Sequence, residues 1–150
     1  MARKFQYAFL LQLAQDRSDD AADVMRAAKA RWDLSQQKLA QVQAYRDEYR
    51  NRFAASSQLG ISVVQWRDFQ LFLARLDAAV EAQAGEVQRC AEGFEQARLA
   101  WLEQQKQVKA FETLEMRHDQ RLLALENKRE QKQSDESAGK MYRQVQTQDR

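Results

Sequence analysis

Apolar residues recur at alternating spacings of four and three along almost the whole chain, and this spacing narrows the fold more than any other feature. The first run occupies positions 7, 11, 14, 18, 21, 25, 28, 32, 35, 39, 42, 46, 49 and 53, where eleven of fourteen residues are apolar or aromatic. The exceptions are Ser18, Ser35 and Arg46. The second run extends from Phe69 to Leu125, with thirteen apolar residues among seventeen positions and Gln83, Gln104, Glu115 and His118 as the exceptions. A sustained repeat of 3.5 residues is the pattern of a helix packed along a narrow seam, and it imposes a left-handed supercoil.

Composition agrees with this reading. The 150 residues contain no proline, four glycines, one isoleucine and two threonines, whereas Ala (23) and Leu (15) are abundant. A β-sandwich or barrel needs frequent turns and β-branched strands, and the residues for both are missing. Apolar residues make up 44%, and about a third of them are alanine, which is thin for a compact globule and adequate for a long seam.

The seam is interrupted once in the first 130 residues. Ala54-Ala55-Ser56-Ser57-Gln58-Leu59-Gly60 carries serine and glycine turn chemistry. Ser62-Val63-Val64-Gln65 has the capping-box pattern, with Ile61 and Trp66 at the staple positions. The expected fold is all-α, a long antiparallel two-helix coiled coil in one domain over 1–136. Its first helix spans about 5–53, its loop about 54–61 and its second helix about 62–135, with 137–150 as a flexible tail. At ~1.5 Å per residue the second helix outruns the first by ~30 Å. Leu122 and Leu125 then keep the heptad without a partner in this chain. Near the loop, Tyr45 lies off the first seam and Phe72 off the second. With Tyr49, Leu76 and Ala79 they form a candidate patch for a protein partner.

Chemistry-bearing motifs are scarce. Lys+Arg total 24 against 22 Asp+Glu, and the charges are interspersed, so there is no clustered basic face for nucleic acid. No apolar run is long enough to span a bilayer, and the start Met1-Ala2-Arg3-Lys4-Phe5 lacks a signal-peptide core. The lone Cys90 falls on the seam and is expected to be buried in a reducing compartment. With a single histidine, His118, no Ser-His-Asp arrangement or multi-His metal site is expected. No Gly-rich phosphate loop is present. No catalytic residue, cofactor, metal or small-molecule substrate is expected.

The order and spacing of several segments resemble the FliJ family, the coiled-coil component of the bacterial flagellar type III export apparatus. The segments are Phe5, Leu10, Leu13-Ala14 and Asp20-Ala21-Ala22, then Tyr45-Arg46-Asp47-Glu48-Tyr49-Arg50. After the loop come Gly60-Ile61, Trp66, Phe69-Gln70, Phe72 and Leu76. Trp101, Lys109 to Arg117, and Glu130 to Glu136 complete the set. The resemblance implies a hairpin similar to the stalk of a rotary ATPase, binding the flagellar export ATPase (FliI) and promoting its ring assembly. It also implies contact with the cytoplasmic domain of the export gate protein (FlhA) and recycling of export chaperones. The protein would be cytoplasmic and peripheral at the inner face of the membrane, at the flagellar base. The family's gate-binding surface falls on Tyr45, Tyr49, Phe72, Leu76 and Ala79. Val42 stands where the family has Leu, and Lys38 and Gln83 depart from its Gln and His. The ATPase contact is expected on Leu122, Leu125, Lys128, Arg129 and Lys132. Two alternatives stay open: a general coiled-coil scaffold or holdase adaptor, and the equivalent stalk of a virulence secretion system.

Overall fold

A computed structural model describes residues 6–149. The described chain is all-α, a helical hairpin of two helices, α1 (Ala8–Ser57) and α2 (Val63–Gln148), with no strand among the described residues. Phe5, the expected start of the first helix, lies outside the described residues.

The chain groups into two units, one formed by Ser18–Gln104 and the other by the described residues up to Arg17 together with those from Gln105. The unit of Ser18–Gln104 contains the bend. α1 ends in a turn in which the Leu59 N–H donates to the Ser56 carbonyl (3.2 Å) and the Gly60 N–H to the Ser57 carbonyl (3.1 Å). Gly60 has φ +90°, a left-handed conformation that costs an L side chain about 1–2 kcal/mol. The reciprocal cap then starts α2. Ser62 N–H donates to Gln65 Oε1 (2.9 Å), Gln65 N–H donates to Ser62 Oγ (3.1 Å), and the Ser62 carbonyl accepts from Trp66 N–H (3.1 Å). Two of the orphan amides of the helix start are thereby satisfied.

The core of this unit is the seam itself. Phe53 stacks on Phe69 with centroids 3.6 Å apart, Tyr49 stacks on Phe69 at 5.4 Å, and Trp66 leans on Phe53 at 5.9 Å. Farther from the bend, Trp32 stacks on Phe94 at 5.5 Å, with the Lys29 ammonium 4.3 Å from the Trp32 ring. Ala28, Phe69, Leu76 and Ala97 are buried. So are Ser18 and Ser35, because their positions on the seam outweigh their polarity. Ser35 Oγ donates to its own helix at the Trp32 carbonyl (2.6 Å), so its burial leaves no free hydroxyl. Cys90, expected to be buried, is half-buried, and its thiol donates to Glu86 Oε1 at 3.6 Å.

In the other unit Ala14 and Val108 are buried. Leu11, Phe111, Glu115, His118 and Leu122 are half-buried. Cover therefore continues to Leu122, which was expected to keep the heptad without a partner in this chain. From Leu123 to Asp149 every residue except Gly139 is exposed.

Two boundaries differ from expectation. α1 runs to Ser57, because Ala54 and Ala55 favour helix and Ser57 Oγ closes onto the Ala54 carbonyl (2.9 Å). α2 runs to Gln148, through the segment expected as a flexible tail. That segment has no proline, is rich in helix formers, and its single Gly139 costs only about 1 kcal/mol. Thr147 Oγ1 also bonds back to the Arg143 carbonyl (3.0 Å).

Candidate partner-binding surfaces

On a helix, residues one position from a seam flank it, and residues two helical turns apart share a flank. Tyr45 and Phe72 each precede a seam residue (Arg46 and Leu73), and in an antiparallel pair that offset puts both on one side of the hairpin. Asp77 and Arg50 each follow a seam residue, on the other side. Their ion pair (Arg50 Nη2 to Asp77 Oδ1, 3.4 Å) shows that this second side is continuous across the two helices. Arg46 Nη1 lies 3.5 Å from the same carboxylate oxygen.

The structure brings Tyr49 and Phe72 together edge to face, with centroids 4.6 Å apart. Both are half-buried. Tyr45 is 51% exposed and Ala79 is exposed. Leu76 is only 9% exposed, so it supports the patch from below more than it offers surface. Two turns further along α2, half-buried Gln83 donates to the Ser35 carbonyl (3.0 Å), and its amide is committed to the fold. The aromatic run extends through Phe69, Phe53 and Trp66 towards the bend.

In the other unit, Leu122 is half-buried and Leu125 is 56% exposed, as is Leu123 at 58%. Lys128, Arg129 and Lys132 are exposed. Arg121, Ala124, Leu125 and Lys128 line a shallow, mostly apolar groove, and Lys128 and Lys132 border a second with Asp135, Glu136 and Arg143. Leucine at 125 followed by cations three, four and seven residues on makes one mixed face along α2. Sequence reasoning missed Met141, Tyr142 and Val145, all more than half exposed. The i, i+4 spacing of Met141 and Val145 was the available signal, and the assignment of that stretch to a tail hid it.

The ionisable groups with shifted pKa values lie elsewhere and are local. Hydrogen bonding to Arg89 and to the Cys90 thiol holds Glu86 below the ordinary glutamate value. The Arg98 guanidinium does the same for Glu95, which in turn raises Arg98. These are exposed i, i+3 pairs along α2, worth little in water. Among the described residues no three His, Cys, Asp or Glu side chains are grouped to hold a metal ion. No described helix is long and apolar enough to cross a membrane.

A family model described as "Flagellar FliJ protein" matches residues 3–147. The chain is 27% identical to the Flagellar FliJ protein of Escherichia coli (strain K12) over 138 residues, which is 92% of this chain and 94% of that relative. It is also 27% identical to the Flagellar FliJ protein of Salmonella typhi over 129 residues, 86% of this chain and 88% of the relative. No solved structure matches.

Proposed function

The chain belongs to the flagellar FliJ protein family and is a flagellar export component; from that premise we propose that it is a non-enzymatic stalk joining the export ATPase to the export gate. The observation that carries the reading is the pair of unlike exposed surfaces, one in each unit of the chain. The Tyr45–Tyr49–Phe72 surface is aromatic, with Tyr49 and Phe72 held edge to face and buried Leu76 one turn beyond Phe72. Such preorganised aromatic anchors suit a protein groove, and this surface receives the cytoplasmic domain of the gate (FlhA). The α2 face of Leu122, Leu125, Lys128, Arg129 and Lys132 mixes leucine with cations on a regular helix. It receives the ATPase (FliI), whose ring assembly the protein promotes, and export chaperones are handled by the same cytoplasmic protein. Peripheral membrane localisation follows from the gate contact.

Steady-state ATP hydrolysis by the purified export ATPase tests this. Stimulation is expected from the full chain and not from a chain ending at Arg117. Equal stimulation by both would remove the α2 face from the proposal, and no stimulation by either would remove the ATPase contact.

A further inference from the structure

The bend of the hairpin carries an apolar surface that neither proposed contact uses. Leu59 is 92% exposed, Val63 76%, Val64 67% and Trp66 49%. They lie on both sides of Gly60 within positions 59–66, in the turn and the first turn of α2. Seam packing does not cover Leu59, Val63 and Val64, whereas Trp66 packs one face on Phe53 and Phe69 and leaves the rest exposed.

The charge around this apex is one-sided. Between Glu48 and Asp68 the chain has three arginines, Arg50, Arg52 and Arg67, and no carboxylate. Arg52 reaches back to Glu48 (2.6 Å) and Arg50 to Asp77 (3.4 Å), both in exposed pairs that exchange readily with other anions. Arg67 makes no ion pair among the described residues.

We propose that the bend is a peripheral docking site for an anionic phospholipid bilayer, with Leu59, Val63 and Val64 entering the headgroup boundary, Trp66 beside them and the arginines on phosphate. The inference stands on the apex alone and does not depend on the ATPase or gate contacts. Three features favour lipid over protein. Leu59, Val63 and Val64 are aliphatic, and leucine and valine are under-represented among protein hot spots. Aliphatic residues at the apex, a tryptophan below them and a cationic rim reproduce the order met on passing into a headgroup layer. The absence of carboxylates removes the repulsion an anionic surface would otherwise exert. The binding is weak and reversible, because only three aliphatic side chains insert.

Vesicle flotation of the full chain tests the proposal, using phosphatidylcholine alone and phosphatidylcholine mixed with phosphatidylglycerol, some of it carrying brominated acyl chains. The chain should float with the mixed vesicles and not with the neutral ones, and added inorganic phosphate should not release it at equal ionic strength. Brominated chains should quench the tryptophan emission, and Trp66→Phe should abolish the quenching while leaving flotation. Each of Arg52→Gln and Arg67→Gln should weaken partition by about fivefold. The triple change Leu59→Ser, Val63→Ser, Val64→Ser should abolish it, with helicity unchanged by circular dichroism because all three are exposed. Flotation of the triple variant with undiminished affinity would assign any lipid contact to another segment and overturn the proposal. So would equal partition onto neutral vesicles, or no partition at all.

Discussion

Gln83 on α2 donates its side-chain amide to the main-chain carbonyl of Ser35 on α1, 3.0 Å away, so a polar side chain at a seam position ties the two helices together. A buried polar residue in a coiled-coil seam fixes register at a cost in stability. Gln83→Ala removes the bond and leaves a void, and it should lower unfolding stability by about 1–2 kcal/mol in denaturant titrations. Gln83→Leu fills the seam with apolar volume, and its melting temperature should equal or exceed that of the parent. A Gln83→Ala chain as stable as the parent would show that the bond contributes nothing.

The gate-facing residues should separate by burial. Tyr45→Ala removes an exposed ring and should change stability by less than about 0.5 kcal/mol while weakening binding to the gate domain. Leu76→Ala cuts into the buried seam and should cost about 2–4 kcal/mol before any partner is added. Thermal melts beside binding isotherms check this. Loss of gate affinity in Leu76→Ala alone, with Tyr45→Ala binding as the parent does, would place the contact elsewhere.

At the bend, Gly60→Ala should destabilise the chain by about 1 kcal/mol even though no heavy atom lies within 4 Å of the added Cβ. The penalty is conformational, set by φ +90°. Gly93 is helical and its Cβ also meets open space, so Gly93→Ala should stabilise by about 1 kcal/mol. Opposite signs in paired chemical denaturation curves are the expected result, and equal signs would refute the backbone argument.

Losing the cap should act on α2 from its first turn. Ser62→Ala removes the acceptor for the Gln65 amide and should cost about 1 kcal/mol, visible as faster amide exchange at Val63 to Trp66. Unchanged exchange there would mean that water replaces the cap without loss.

Glu86 and Glu95 should titrate below the ordinary glutamate value in carboxyl carbon NMR, and Arg89→Ala should return Glu86 towards it. The sign follows from a folded-state pKa that is depressed. The stabilising contribution is present above the unfolded value and disappears as pH falls through the lowered one. An ordinary titration of Glu86 in the parent would contradict the Arg89 and Cys90 contacts.

The hairpin was legible because its cause is periodic. Ser18 and Ser35 are polar exceptions in the repeat, yet both are buried because they occupy seam positions. Ser62 and Gln65 announced the start of α2 by residue type and spacing alone. The last residues of each helix were less legible, since no proline marks where the helix must stop. Thus Ala54 to Ser57 and Ser134 to Gln148 stay helical on propensity beyond the ends of the seam repeat. In the candidate site, the placement of Tyr45 and Phe72 off the two seams was readable from spacing alone. How far Leu76 sinks beneath them depends on the approach of the two helices, which spacing does not encode.

Among the described residues no large side chain is fully enclosed. Such a seam has no keystone. Each position holds a modest share of the cohesion, and a change at one point thins the contact locally without releasing the rest. A fold of this kind depends on cadence more than on letters, which accords with relatives matched over most of their length at 27% identity. The residues held to their identity would then be those that face outward and answer to another molecule.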